Sequence, residues 1–260
     1  MSLLDPAERR RTGIRNQAEL LAAAAPEPHT LLDASWRDFI FAEVWSRPQL
    51  DRRSRYLISM SGSARSQDTQ ALDGYVRGAL SGGELSLAEL REAALHVAVY
   101  SGWSVGGCLD AAITRVAAAM GLPPAPIPPI RAEPWDPQAR IADGAAGFKN
   151  VMVFGGPPPA TAYFEAGILN FVFGEMWMRT GLDQRSRRWL TLVGVSDSAA
   201  SIPIRSHVHA AMASGNTNRA EMNEFVLQYA IHAGWPKASV VQGAVLEQAA
   251  RVEKGLPFEA

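Results

Sequence analysis

The sequence predicts an all-α protein in which one helical unit is written twice. Three observations predict it. Residues 39–55 return as residues 171–187 with ten of 17 positions identical. Residues 88–103 return as residues 220–235 at the same offset of 132, so no net insertion separates the two blocks. Alternating Val, Ile and Thr runs bounded by hairpin turns, which would signal strands, are not found. A repeat of this length is read first because it decides the architecture.

The elements follow in order. Residues 6–11 (Pro-Ala-Glu-Arg-Arg-Arg) read as a solvated helix start. Residues 13–16 resemble residues 147–150 after a two-residue shift. The repeated Leu-Asp-x-Arg-Ser-Arg, at 50–55 and 182–187, opens a helix predicted over about 53–61 and 185–193. A further helix carries residues 75–80 and their counterparts 207–212. Ser86 stands three residues before Glu89 and Asn218 three before Glu221, the spacing of a capping box. Both of those helices run in good helix formers to Gly102 or Gly234, read as left-handed caps, and Pro236 marks the second stop. The Gly-rich pieces 104–107 and 155–159 follow no strand and lack the Lys-Ser/Thr of a phosphate loop, so they are read as turns. Seven prolines in residues 123–137 cannot be helical. Extended at ~3.1 Å per residue, that stretch reaches roughly 45 Å. The expected organisation is a first unit at 13–122, a Pro-rich linker at 123–144 and a second unit at 145–255.

Composition limits function. Of 260 residues, 47% are apolar and 20% charged, enough to bury a core and too hydrophobic for a disordered chain. Twenty-five basic against 26 acidic residues give a formal net charge of -1. That balance argues against gripping nucleic-acid phosphates or an anionic membrane surface. No apolar run approaches the ~20 residues of a membrane helix, and the N-terminus lacks the order of a signal peptide. The single cysteine, Cys108, excludes an intrachain disulfide, a tetrathiolate zinc site and CxxC redox chemistry. The expected location is cytoplasmic, with no nucleic-acid or membrane partner.

The order of features in each copy carries a resemblance. Leu-Asp-x-Arg-Ser-Arg opens a helix, and His207-Val-x-x-Ala211, kept as Tyr75-Val-x-x-Ala79, follows. A Gly-bearing turn comes next at Gly83 or Gly215, and then an Ala-Glu-x-x-Glu helix that ends in Gly-Trp. In this order each unit resembles the carboxymuconolactone decarboxylase family, which shares the helical fold of alkyl hydroperoxidase D. The resemblance covers about 110 residues per copy and implies a tandem duplication of an alkyl hydroperoxidase D-like unit. It implies a cofactor-independent carboxy-lyase acting on a small cyclic or unsaturated carboxylic acid. It also implies rings of six units, so three tandem chains, a homotrimer, would complete one. The hydroperoxidase branch needs two thiols and a His. With His207 at that His, the thiol positions hold Ala200 and Pro203, and in the first copy Asp68 and Ala71 with Tyr75 for the His. Thiol peroxidase chemistry is excluded by residue identity.

Decarboxylation without a cofactor needs groups that hold a carboxylate, stabilise negative charge and return a proton. Glu92, His96 and Tyr100 are spaced i, i+4, i+8 and share one helical stripe; Glu224, Gln228 and His232 form the same stripe in the second copy. The candidate catalytic residues are therefore His207, at the family's His position, with Glu224, His232, Glu92 and His96. The competing reading makes the stripe a solvent-facing edge. Candidate substrate contacts are Arg187, Trp235, Tyr100 and Arg77. For Arg55 and Arg187 the favoured alternative is a structural ion pair with Glu43 or Glu175. His207 and His209 are ~200° apart on a helix and cannot share one ion, so no metal site and no cofactor are expected. His209 is expected at the surface or an interface, Cys108 as a small buried residue, and the repeated tryptophans as packing. Other readings of the same acid–base set are an isomerase, hydratase or dehydratase, or a non-catalytic ligand-binding or assembly protein.

Overall fold

The computed structural model describes residues 4–131, 136 and 139–259, and every element among them is a helix. The first half runs α1 (Pro6–Leu21), α2 (Leu31–Ser35), a π-helix π1 (Trp36–Val44), α3 (Arg52–Ser66), α4 (Thr69–Ser81), α5 (Leu87–Ser101) and α6 (Trp103–Ala119). The second runs α7 (Ala139–Met152), π2 (Tyr163–Met176), α8 (Gln184–Asp197), α9 (Ser201–Ala213), α10 (Arg219–Ala233) and α11 (Trp235–Glu253). From α3 onward each helix of the first half begins 132 residues before one of the second.

Local chemistry sets these boundaries. Asp51 caps α3 by accepting from the Ser54 amide at 2.8 Å, and Asp183 caps α8 through Ser186 at 2.9 Å. Ser86 with Glu89, and Asn218 with Glu221, close reciprocal capping boxes on α5 and α10. Gly102 (φ 96°, ψ 152°) and Gly234 (φ 85°, ψ 151°) are not left-handed helical caps. Their extended positive-φ backbone turns the chain so sharply that one residue ends a helix and starts the next. Pro236 accordingly sits in the first turn of α11, where no amide donor is needed. Residues 104–107, read as a turn, lie inside α6. Gly106 is there because α6 crosses α5 against Ala98, leaving no room for a Cβ.

The upstream alignment also shifts. Gly13 of α1 rests on the Arg37 carbonyl, and the residue resting on the corresponding Leu169 carbonyl is Gly144. Gly147 instead meets the Phe173 carbonyl, whose first-half equivalent, Phe41 O, accepts from Asn16 Nδ2 at 2.9 Å. The π-helices are a second departure. Trp45 N donates to Ile40 O and Trp177 N to Val172 O, each at 3.0 Å and five residues back. Such wide turns are rare and concentrate at functional sites. Residues 122–129 are non-helical. Part of the proline-rich stretch, including Pro134 and Pro137, lies outside the described residues, and α7 already begins at Ala139, inside the expected linker.

The two halves do not keep separate cores. α3 packs on α8, α5 of the first half packs on α8 of the second, and α10 of the second packs on α3 of the first. One apolar cluster therefore contains Leu57 and Leu90 together with Trp189 and Phe225. A smaller cluster holds Phe148, Val151 and Phe173 of α7 and π2. Arg53 reaches Asp183 at 3.2 Å and Arg185 reaches Asp51 at 2.8 Å, so the repeated motif ties each half to the other. Glycine at one repeat position permits the close crossings. A Cβ on Gly62 would stand 2.7 Å from the Cβ of His232, and one on Gly194 2.8 Å from that of Tyr100. Among the described residues no helix is long and apolar enough to cross a membrane.

Candidate active site

The crossed packing builds two polar clusters, each from the α5 or α10 stripe of one half and the arginines of the other. In the first, Glu92 of α5 receives Arg179 Nε at 3.0 and 2.9 Å and Arg187 Nη2 at 3.1 Å. Arg179 also donates to the carbonyls of Pro129 (2.7 Å) and Ile130 (2.8 Å), so the proline stretch clamps it from outside. In the second, Glu224 of α10 receives Arg47 Nε at 2.8 Å and Arg55 Nη2 at 3.0 Å. Burial pushes both carboxyls up, but the guanidinium hydrogen bonds outweigh it and hold both below the usual carboxylate value.

The expected ion pairs of Arg55 and Arg187 with Glu43 and Glu175 are not formed. Glu43 is taken by Arg9 of α1, and Glu175 by Arg140 of α7 at 3.0 Å. The acid of Glu-x-Trp thus serves the helix packed on its own π-helix, while the motif arginine serves the other half. Glu92, His96, Glu224 and Gln228 are buried and Tyr100 and His232 half-buried, so the stripe is not a solvent-facing edge.

The remaining stripe positions differ between the clusters. In the first, His96 Nε2 lies 2.8 Å from Thr191 Oγ1, and its ring stands edge-on to Trp177 at 4.9 Å. Trp177 Nε1 donates to Tyr100 Oη at 2.7 Å, and Tyr100 stands edge-on to His207 at 5.5 Å. Arg188 of α8 lies over the Trp177 ring at 4.9 Å and bonds Asn216 Oδ1 (3.2 Å) and the Val151 carbonyl. Arg188 is 0% exposed, has no carboxylate partner among the described residues, and its Nη1 makes no hydrogen bond. His207 Nδ1 is likewise buried and unbonded. Burial, then the Arg188 charge, brings His207 down to about 3, and burial with Arg187, Arg188 and His207 puts His96 well below its ordinary value. Burial takes Tyr100 up to about 12 and Arg188 down to about 10. At neutral pH this cluster is a buried guanidinium facing neutral imidazoles and a neutral phenol.

In the second cluster Gln228 replaces His96, bonded to Arg55 (2.8 Å) and Ser59 (2.9 Å). Tyr56 stands at the position of Arg188 and donates to Leu20 O at 2.6 Å. Tyr75 replaces His207, stacks on Trp45 at 5.7 Å and meets His232 edge-on at 6.1 Å. Burial brings His232 down to about 4. Here Tyr75 Oη, Trp45 Nε1 and His232 Nε2 have no hydrogen-bond partner, and none of these three groups is charged at neutral pH.

The structure thus brings together Glu92, His96, Tyr100, Arg187 and His207 in one cluster and Glu224 and His232 in the other. Two candidates lie elsewhere. Arg77 is on α4 without a contact to either cluster, because two residues along a helix turn it ~200° from Tyr75. Trp235 is 55% exposed and packs on Phe39 at 6.3 Å. His209, expected at the surface or an interface, is buried within the chain with Nδ1 3.1 Å from Gln248 of α11, and Cys108 is only half-buried. Among the described residues no three His, Cys, Asp or Glu side chains are placed to hold a metal ion. Sequence reading passed over Arg47, Arg179 and Arg188. The first two carried a signal, since they are identical in both copies. Arg188 carried a fainter one, an arginine where the first copy has Tyr56.

Residues 31–106 match the Carboxymuconolactone decarboxylase family. A nitrosuccinic acid decarboxylase of Metarhizium robertsii is 37% identical over 76 residues, 29% of this chain and 51% of the relative. The chain therefore spans about half the length of that curated relative. Over residues 31–106, the chain is similar to the carboxymuconolactone decarboxylase family.

Proposed function

We propose that the chain is a cofactor-independent carboxy-lyase and that the first cluster is its reaction site. One observation carries this reading: Arg188 is a buried cation with an open Nη1 and, among the described residues, no carboxylate partner, beside the open Nδ1 of His207. An uncompensated charge in the interior is costly, and an anionic ligand relieves that cost. The favoured substrate is a small carboxylic acid whose carboxylate adjoins an electron sink such as a carbonyl or nitro group. The C–C bond to the carboxylate breaks, CO₂ leaves, and the electron pair passes to the sink. Arg188 holds the developing oxyanion. A proton then returns to carbon, with His207 as donor once the bound anion has raised its proton affinity. Glu92 and Glu224, each locked by two arginines, position helices and guanidinium groups rather than exchange protons. The decarboxylase named among the relatives makes nitrosuccinic acid the first compound to try.

The two halves are proposed as copies of one unit, 13–122 and 145–255; the second cluster keeps its Glu224–Arg47–Arg55 triad but has Tyr56 and Tyr75 where the first has Arg188 and His207. The assembly proposed is a homotrimer. Light scattering should then give about 84 kDa, three times the 28.0 kDa chain; a 28 kDa species would reject it.

The test of function is CO₂ release from small nitro-, keto- and lactone-carboxylates. Arg188→Gln should lower kcat/KM at least about 30-fold, the equivalent of about 2 kcal/mol for a buried charged hydrogen bond. His207→Gln should lower kcat about 10²-fold or more. Substrate consumption without CO₂ would point to an isomerase or hydratase instead. Full turnover in a folded Arg188→Gln would remove the site.

A further inference from the structure

A cavity of about 420 Å³ lies between α1, the 22–30 segment, α2, π1 and α4, next to the second cluster. That size lies within the range of small-molecule sites. Trp36, Phe41 and Tyr75 supply aromatic walls, and Glu27, Asp33 and Asp68 supply carboxylates. No lysine or arginine is among the described lining residues.

The polar lining is left half used. Asp33 spends Oδ2 on the amides of His29 and Thr30, and Asp68 spends Oδ1 on the amide of Ala71. Among the described residues no lysine or arginine pairs with either aspartate; the basic groups near them are the imidazoles of His29, for Asp33, and His232, for Asp68. Gln17 Oε1, also in the wall, is buried and accepts nothing. Tyr75 is 1% exposed, with a hydroxyl that makes no hydrogen bond. His232, whose Nε2 is equally unbonded, lies 6.4 Å from Trp36, ring to ring. The open groups of the wall are therefore the exposed carboxylates, the Gln17 Oε1 acceptor and the Tyr75 hydroxyl, set among aromatic faces.

We propose that this cavity is a second binding site, separate from the reaction site, and that it takes a small organic cation, an aromatic or heterocyclic ammonium. The carboxylate oxygens and Gln17 Oε1 accept from N–H donors. Aromatic faces attract a cation held within ~6 Å of the ring. A carboxylate ligand finds no lysine or arginine among the described lining residues and faces three acids, of which Glu27 alone has a guanidinium near it, Arg37 at 3.9 Å. The two clusters thus differ in surroundings: a buried guanidinium in one, a cavity lined by three carboxylates beside the other. This proposal does not depend on the decarboxylase reading.

The test uses the full chain and benzylammonium as probe, with benzoate as the charge-reversed control, by titration calorimetry at neutral pH and low salt. Benzylammonium should saturate at one site per chain, and benzoate should not compete. Asp68→Asn, which keeps an α4 N-cap, should weaken binding about 10-fold. That is about 1.4 kcal/mol, of the order of one charged hydrogen bond. Trp36→Leu should weaken it as well, and Arg188→Gln should leave it unchanged. Where Asp68→Asn shifts the melting curve, Glu27→Gln in the exposed segment replaces it. Absence of saturable binding at millimolar benzylammonium, equal binding of benzoate, or affinity indifferent to both acid substitutions would each overturn the proposal.

Discussion

Glu92→Gln tests the crossed architecture directly. Glu92, Arg179 and Arg187 have side chains 7%, 9% and 1% exposed, and the acid comes from one half while both arginines come from the other. After the substitution Arg187 keeps the carbonyls of Leu182 (3.1 Å) and Arg179 (2.9 Å), and Arg179 keeps those of Pro129 and Ile130. Neither keeps a negative charge. Breaking a buried pair by removing one partner costs about 3–5 kcal/mol, a large part of the roughly 5–15 kcal/mol that holds a typical domain folded. The control is Glu253→Gln. Its pair with Arg219 is 3.1 Å long but about half exposed on both sides, and is worth about 0–1 kcal/mol. Urea unfolding, followed by tryptophan fluorescence and circular dichroism, should place Glu92→Gln well below the control. Its Tm should fall by roughly 6–20 °C. Adding Arg187→Met should recover part of the loss, since the lone buried charge is then gone. If Glu92→Gln and Glu253→Gln lie within about 1 kcal/mol of each other, the triad does not couple the halves and the argument fails.

Other outcomes follow from the same geometry. The lowered Glu92 and Glu224 values mean that their stabilisation is complete above their ordinary value of 4.5 and is lost as pH falls through the folded values. His207 and His232 titrate near 3 and 4 when folded against 6.5 unfolded, so the unfolded chain takes up their protons first. Stability should therefore already decline from pH 6.5 downward, by up to about 1.4 kcal/mol per pH unit for each histidine. His207→Gln should flatten that slope in a series of melts; an unchanged slope would contradict the burial. Gly194→Ala places a methyl 2.8 Å from the Cβ of Tyr100 and should cost about 1–3 kcal/mol in urea titration. Arg77→Gln should change stability by no more than about 0.5 kcal/mol and leave turnover intact; a drop in turnover would restore it to the site.

What the sequence determined by itself was local. Asp51, Asp183, Ser86 and Asn218 start helices because a side-chain oxygen needs only the next turn's amides. The 132-residue offset fixed which helices correspond, and the stripe Glu92–His96–Tyr100 follows from helical geometry alone. The partners of that stripe could not be read in the same way. Arg187 lies 95 residues from Glu92, and Arg55 169 residues from Glu224. Glu43 and Glu175 were the nearer acids in sequence, yet α1 and α7 supply their arginines. Only the packing of α5 on α8 and α10 on α3 decided the true pairs. Tertiary structure also turned Arg77 away from the clusters and buried His209. It wound Trp36–Val44 and Tyr163–Met176 as π-helices and left Arg188 without an acid among the described residues. A guanidinium is charged in any sequence; whether a carboxylate meets it depends on which helices cross there.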